Sequence, residues 1–191
     1  TRLNSVTWVG GTTGNWFDPA NWAGGAVPDL ANVANVVIPT GKTVSFNSTV
    51  TAPAQAGTVN IDSLVGSGGT AGNLTMTAGT LNVGTGGVSL ATVSQTGGTL
   101  SFTGNSSLST TGAITLGTVT ATGSLDVTSS GGDITLGGNI TLGSAALTIK
   151  TAGNIVQNVS TTVSTSGGNI TYWADSDASG AGSISLGNGT S

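Results

Sequence analysis

The sequence predicts an all-β chain: a parallel β-helix, or β-solenoid, with about three short strands per coil, a period near 20 residues and an N-terminal cap. Three observations carry the prediction. Glycine recurs every few residues, 33 times in 191, and Thr, Val and Ile dominate between, a mixture that disfavours helix and suits strands. Apolar and hydroxyl residues alternate with period two, as in GGDITLGGNITLGSAALTIKTAGNI over residues 131–155, the mark of half-buried strands. The apolar positions then fall into three interleaved series that share one period.

The first series reads Leu74, Val93, Ile114, Ile134 and Ile155. The second reads Ile61, Leu81, Leu100, Val119, Ile140, Val163 and Ile184, and the third Val88, Leu108, Leu125, Leu147 and Ile170. Three series imply three strands per coil, a right-handed parallel β-helix or a close relative, the hand being an expectation from the general rule for parallel crossovers. Stacked coils let every backbone N–H and C=O pair with the coil above or below; ~6 coils between residues 59 and 186 would give a rod on the order of 30 Å long. Residues two beyond each series member, such as Met76, Leu116, Phe102 and Ile149, point inward as well. Those between, such as Thr75, Thr115, Ser101, Thr120 and Thr148, point outward. Gln95 and Gln157 break the inward pattern, which leaves two alternatives: a shifted register, or glutamines bonded to backbone inside the core.

Residues 1–56 lose the rhythm and are expected to form a Trp/Pro-rich capping region, with solenoid repeats over 57–191 in a single domain. The region holds Trp8, Trp16 and Trp22 and all four prolines, with strands expected at 33–38 and 43–46. An open solenoid end exposes core and strand edge, so the tryptophans are expected to pack over the first coil. The alternative is a carbohydrate platform of Trp8, Trp16, Trp22 and the later Trp173, because flat indoles stack on sugar faces.

WVGGTTGNWFDPANWAGGAVPD, followed by VVIPTGKTV, resembles the motif that opens many bacterial surface β-helix and autotransporter-like proteins. GGDITLGGNITL and GGNITYWADSDASGAGSISL resemble repeats of the filamentous haemagglutinin family of exoproteins. The resemblance implies export to an extracellular or bacterial cell-surface location, a long parent polypeptide, and roles in adhesion, biofilm matrix or surface fibres. It also implies host or matrix glycans and proteins as partners. The start, TRLNSVTW, lacks a basic-then-apolar leader, so a secretion signal is expected to have been removed or to lie upstream.

Composition excludes several classes. Charged residues are 5% of the chain, against roughly 25% in ordinary soluble domains. Three scattered cations, Arg2, Lys42 and Lys150, make no electrostatic footprint for nucleic acid or for an anionic membrane surface. No apolar run approaches the ~18 residues of a spanning helix. Evenly spaced Leu, Ile and Val exclude a disordered linker. With no His, Glu or Cys, general acid–base chemistry has few groups to draw on, so no catalytic residue and no enzyme is expected. Asp126 and Asp133 would form a carboxylate pair only if neighbouring coils brought them together.

Residues 173–180, WADSDASG, place acids where the first series needs an apolar residue near 176, so a loop is expected to interrupt the ladder. Asp175, Asp177 and Ser179 match the first half of an EF-hand-like loop and are candidate calcium ligands, without the closing Glu; the other reading is a solvated turn or contact loop. Ordered Thr rows on β-helix faces can bind ice, but outward positions mix Thr, Ser, Asn and Asp with no persistent T-x-T column, so a solvated neutral face is expected. SISLGNGTS is expected to end on a second-series strand and to expose core and edge to end-to-end self-association or to further chain. The expected function is a structural or adhesive stalk or fibre subunit, with a carbohydrate-binding module as the alternative.

Overall fold

The computed structural model describes residues 1–47, 58–69 and 71–189. Its strands stack into three parallel ladders, each strand pairing with its equivalents one coil before and one coil after. The first ladder has eight strands: Thr13–Asn15, Thr43–Phe46, Asn73–Met76, Thr92–Gln95, Ile114–Leu116, Ile134–Leu136, Ile155–Gln157 and Ile184–Leu186. The second comprises 58–61, 80–83, Thr99–Phe102, Thr118–Ala121, Ile140–Leu142 and Val163–Ser164. The third runs Leu3–Thr7, Val33–Ile38, 63–66, 87–90, Ser106–Thr110, Leu125–Ser129, Leu147–Thr151 and Ile170–Trp173. Two long strands, Thr58–Gly66 and Thr80–Leu90, belong to both the second and third ladders, and their mutual register shifts between Ile61 and Ser63. The chain is thus the all-β parallel solenoid that its periodicity predicts.

The first series is in register throughout: Leu74 opposes Val93, Val93 opposes Ile114, and Ile114, Ile134 and Ile155 follow. These five side chains are buried, and the residues between them, Thr75, Ser94, Thr115 and Thr135, are only partly covered. The second and third series need three corrections. Leu81 opposes Val59, not Ile61, which opposes Val83. Leu125 opposes Ser106, while Leu108 opposes Val127. Both errors are slips of two residues, which keep every side chain on its own face, so the hydrophobic pattern could not detect them. The third correction is larger. Ile184 opposes Ile155 and so belongs to the first ladder, because residues 174–182 form the expected loop and delay the next strand.

The two glutamines follow the second alternative. Gln95 is 1% exposed and stands in register with Met76; its Nε2 donates to Thr118 O at 2.8 Å and Gly98 O at 3.1 Å, and its Oε1 accepts from Gly117 N at 3.2 Å. Gln157, opposite Leu136, donates to Thr161 O at 3.1 Å and accepts from Tyr172 OH at 2.9 Å. A buried hydroxyl stack lies at the corner that follows the third ladder. Thr110, Ser129 and Thr151 are in register, and their oxygens bond Gly112 O, Gly112 O and Gly132 O in turn. Glycine is required where corners stack: at Gly98, φ is 72° and a Cβ would lie 2.6 Å from Gly79 O.

The N-terminal segment is built into the same ladders. The strands expected at 33–38 and 43–46 form there, and Val36 opposes Leu64 while Val44 opposes Leu74. The expected boundary between residues 56 and 57, and Pro53, lie outside the described residues. The rhythm is lost because the corners are long: Thr13 and Thr43 oppose each other 30 positions apart, against 19 for Leu74 and Val93. Strand pairing fixes register, whereas corner length is free to vary. Ahead of the first strand of the second ladder, a turn takes the place of another strand. Leu30 N donates to Asn60 O at 2.7 Å, and Asn60 N donates to Asp29 Oδ2 at 3.0 Å. The edge of 58–61 is therefore covered at Asn60.

Candidate functional site

The three N-terminal tryptophans meet in one aromatic cluster. Asp18 accepts from Ala20 N and caps the short 3-10 turn Pro19–Asn21, which swings Trp22 back beside Trp8. Ring centroids of Trp8 and Trp22 are 5.0 Å apart at 87°, and those of Trp16 and Trp22 are 5.0 Å apart at 65°. Phe46 completes the cluster at 5.4 Å from Trp16 and 4.8 Å from Phe17. Such edge-to-face pairs contribute about 0.5–1.5 kcal/mol each beyond their buried area. Trp8, Trp16 and Trp22 are at most 2% exposed, so they present no ring face on which a sugar could stack. Trp8 Nε1 donates to Gly11 O and Trp22 Nε1 to Trp16 O, while Trp16 Nε1 has no acceptor among the described residues.

Trp173 is different. It ends the third ladder, is 50% exposed, and stands in register with Lys150, whose Nζ lies 4.3 Å from the ring centroid. Its neighbour Tyr172 points inward. Burial raises the Tyr172 phenol to about 12, and its OH donates to Gln157.

The loop after Trp173 closes on itself. Asp175 has a φ of 53° and Ala178 a φ of 58°, both left-handed. Asp175 Oδ1 accepts from Ser179 Oγ at 3.1 Å and from Gly180 N at 3.0 Å, and Asp177 Oδ1 accepts from Ser179 N at 3.3 Å. Desolvation works against the Asp175 charge, but the bonds from Ser179, Gly180 and Ala181 outweigh it and hold the carboxyl below its ordinary value. The structure thus brings Asp175 and Ser179 together and turns the Asp177 carboxylate to the loop backbone. Among the described residues no group of three or more His, Cys, Asp or Glu side chains converges on a point. Asp126 lies on the third ladder, opposite Ser107 and Thr148, whereas Asp133 leads into the first, where it accepts from Asn154 N at 2.8 Å. The two carboxylates serve different faces.

The outer faces were the part least legible in the sequence. On the first ladder Thr92, Asn73 and Thr43 bond one another, and so do Ser183, Asn154 and Asp133. On the third, Asp126, Lys150 and Trp173 interrupt the hydroxyls. The second ladder stacks Thr58, Thr80, Thr99 and Thr118 in one column, which continues through Asn139 to Thr162. Two residues along each strand runs a second column: Asn60, Asn82, Ser101, Thr120, Thr141 and Ser164. On this face only Thr118 and Thr120 form a T-x-T pair, so the expectation that no T-x-T column persists holds, while a single column of four threonines, Thr58 to Thr118, emerges from the pairing. No family model, no curated protein and no solved structure matches this chain.

Proposed function

We propose that the chain is a non-enzymatic structural or adhesive element of a bacterial surface, a solenoid stalk or extracellular fibre subunit. The observation that carries this reading is the pair of eight-strand ladders that pass through the whole described chain around an aliphatic interior. A rod held by continuous backbone pairing transmits load along its axis, and a chain with 5% charged residues packs against others with little repulsion. Absence of His, Glu and Cys from the sequence supports a role without catalysis. For end-to-end contact the surface on offer is the last described coil, where Ile170, Ile184 and Leu186 are exposed beside free strand edges.

Electron microscopy across a concentration series tests the reading. Filaments that lengthen with concentration, and that a charge at Ile184 (Ile184→Asp) abolishes while the monomer stays folded, are the expected result. Dispersed short particles at every concentration would remove self-assembly and leave a stalk segment.

Trp173 supports a second reading, a carbohydrate-binding module, because it alone of the four tryptophans is exposed and it carries a cation on one face. Titrated glycans should then shift its fluorescence, and Trp173→Phe should remove the shift. An emission spectrum unmoved by any glycan would end this alternative.

A further inference from the structure

We propose that the outer face of the second ladder binds the surface of ice. The inference is independent of the stalk reading and rests on how this face differs from the other two. Its two columns carry twelve residues, every one Thr, Ser or Asn. They form a two-dimensional grid, about 4.8 Å between coils and roughly 6.6 Å between columns along a strand. That grid is close to the spacing of water oxygens on the prism faces of hexagonal ice.

Chemistry supports the same ligand. An ionic group holds a hydration shell that does not fit the lattice, and the twelve positions carry no charge. Carboxylates border the face only at its first coils: Asp29 is engaged by Asn60 N, and Asp62 lies two residues beyond Asn60 beside Gly84, while the strands from Thr99 onward carry none at the grid positions. Threonine offers a hydroxyl and a methyl together, so water can be both bonded and caged around it. Its branched Cβ leaves few χ1 states, which keeps the entropy lost on adsorption small. The central hydroxyls are also available. Thr80, Thr99 and Thr118 make no side-chain hydrogen bond within the described residues, in contrast to the Thr43, Asn73 and Thr92 column of the first ladder. Backbone pairing on both sides of each central strand holds the grid rigid.

The test is inhibition of ice recrystallisation, with thermal hysteresis as a second readout, on the folded chain. Wild type is expected to arrest crystal growth. The double variant Thr99→Lys/Thr118→Lys is expected to need roughly tenfold more protein for the same effect, because central contacts dominate an interface. The matched variant Ser94→Lys/Thr115→Lys, on the first ladder, should behave as wild type. Thr99→Ser/Thr118→Ser, which keeps the hydroxyls and removes two methyls, should be weakened with an unchanged melting curve, so a folding defect in the lysine variant would not hide the result. No effect of wild type on ice overturns the proposal. Equal losses from the two lysine variants overturn it too, as does adsorption to cellulose or chitin with no effect on ice.

Discussion

Gln95 Nε2 donates to the carbonyl of Thr118 at 2.8 Å, from the first ladder to the second-ladder strand Thr118–Ala121 one coil further on. A side chain in an apolar slot thus ties together two ladders and two coils. Because the same amide also bonds Gly98 O and Gly117 N, Gln95→Met should fill the space yet strand three backbone groups. The expected cost is about 2–3 kcal/mol, read from the urea midpoint, although the in-register neighbour is itself Met76.

The hydroxyl stack gives an isosteric test. Thr151 bonds Gly132 O and accepts from Gly153 N at 3.1 Å, so Thr151→Val should cost about 1–3 kcal/mol. Thr148, three residues earlier and facing out, should tolerate valine within about 0.5 kcal/mol. Equal melting temperatures for the two variants would show that the corner bonds contribute nothing.

Within the aromatic cluster, two tryptophans with equal burial should respond unequally. Trp22 Nε1 donates to Trp16 O at 2.7 Å, whereas Trp16 Nε1 has no acceptor among the described residues. Trp22→Phe should therefore be more destabilising than Trp16→Phe by about 1 kcal/mol in thermal or urea unfolding.

Two titrations have opposite signs. Asp175 is held below its ordinary 3.8, so its loop bonds contribute above that pH and are lost as pH falls through the lower folded value. Carboxyl NMR should place its midpoint under 3.8, with loop amides losing protection over the same range. Tyr172 is raised from 10.0 to about 12, so its contribution is complete below 10 and is lost as pH rises towards 12. Absorbance of tyrosinate should appear only near the upper end of that window.

Much of the fold was legible because it is local. Period-two alternation and recurring glycine identify strands and corners without knowledge of pairing, and the first series, from Leu74 to Ile155, needed nothing more. Where corners vary in length, as between Thr13 and Thr43, spacing stops reporting the coil, and the ladder strands within residues 1–47 could not be placed from the period.

Sequence alone determined the architecture: parallel coils, an aliphatic inside, a neutral hydroxyl outside, and a loop after Trp173. Tertiary structure decided register, and with it every column. Slips of two residues preserve which face a side chain takes, so Ser106 beneath Leu125 and Val59 beneath Leu81 are invisible to pattern. The grid of Thr, Ser and Asn on the second ladder depends on the same register. So does the fate of the tryptophans, because burial depends on what the chain brings over a ring: Trp8, Trp16 and Trp22 cover one another, while Trp173, with Lys150 on its face, stays half exposed.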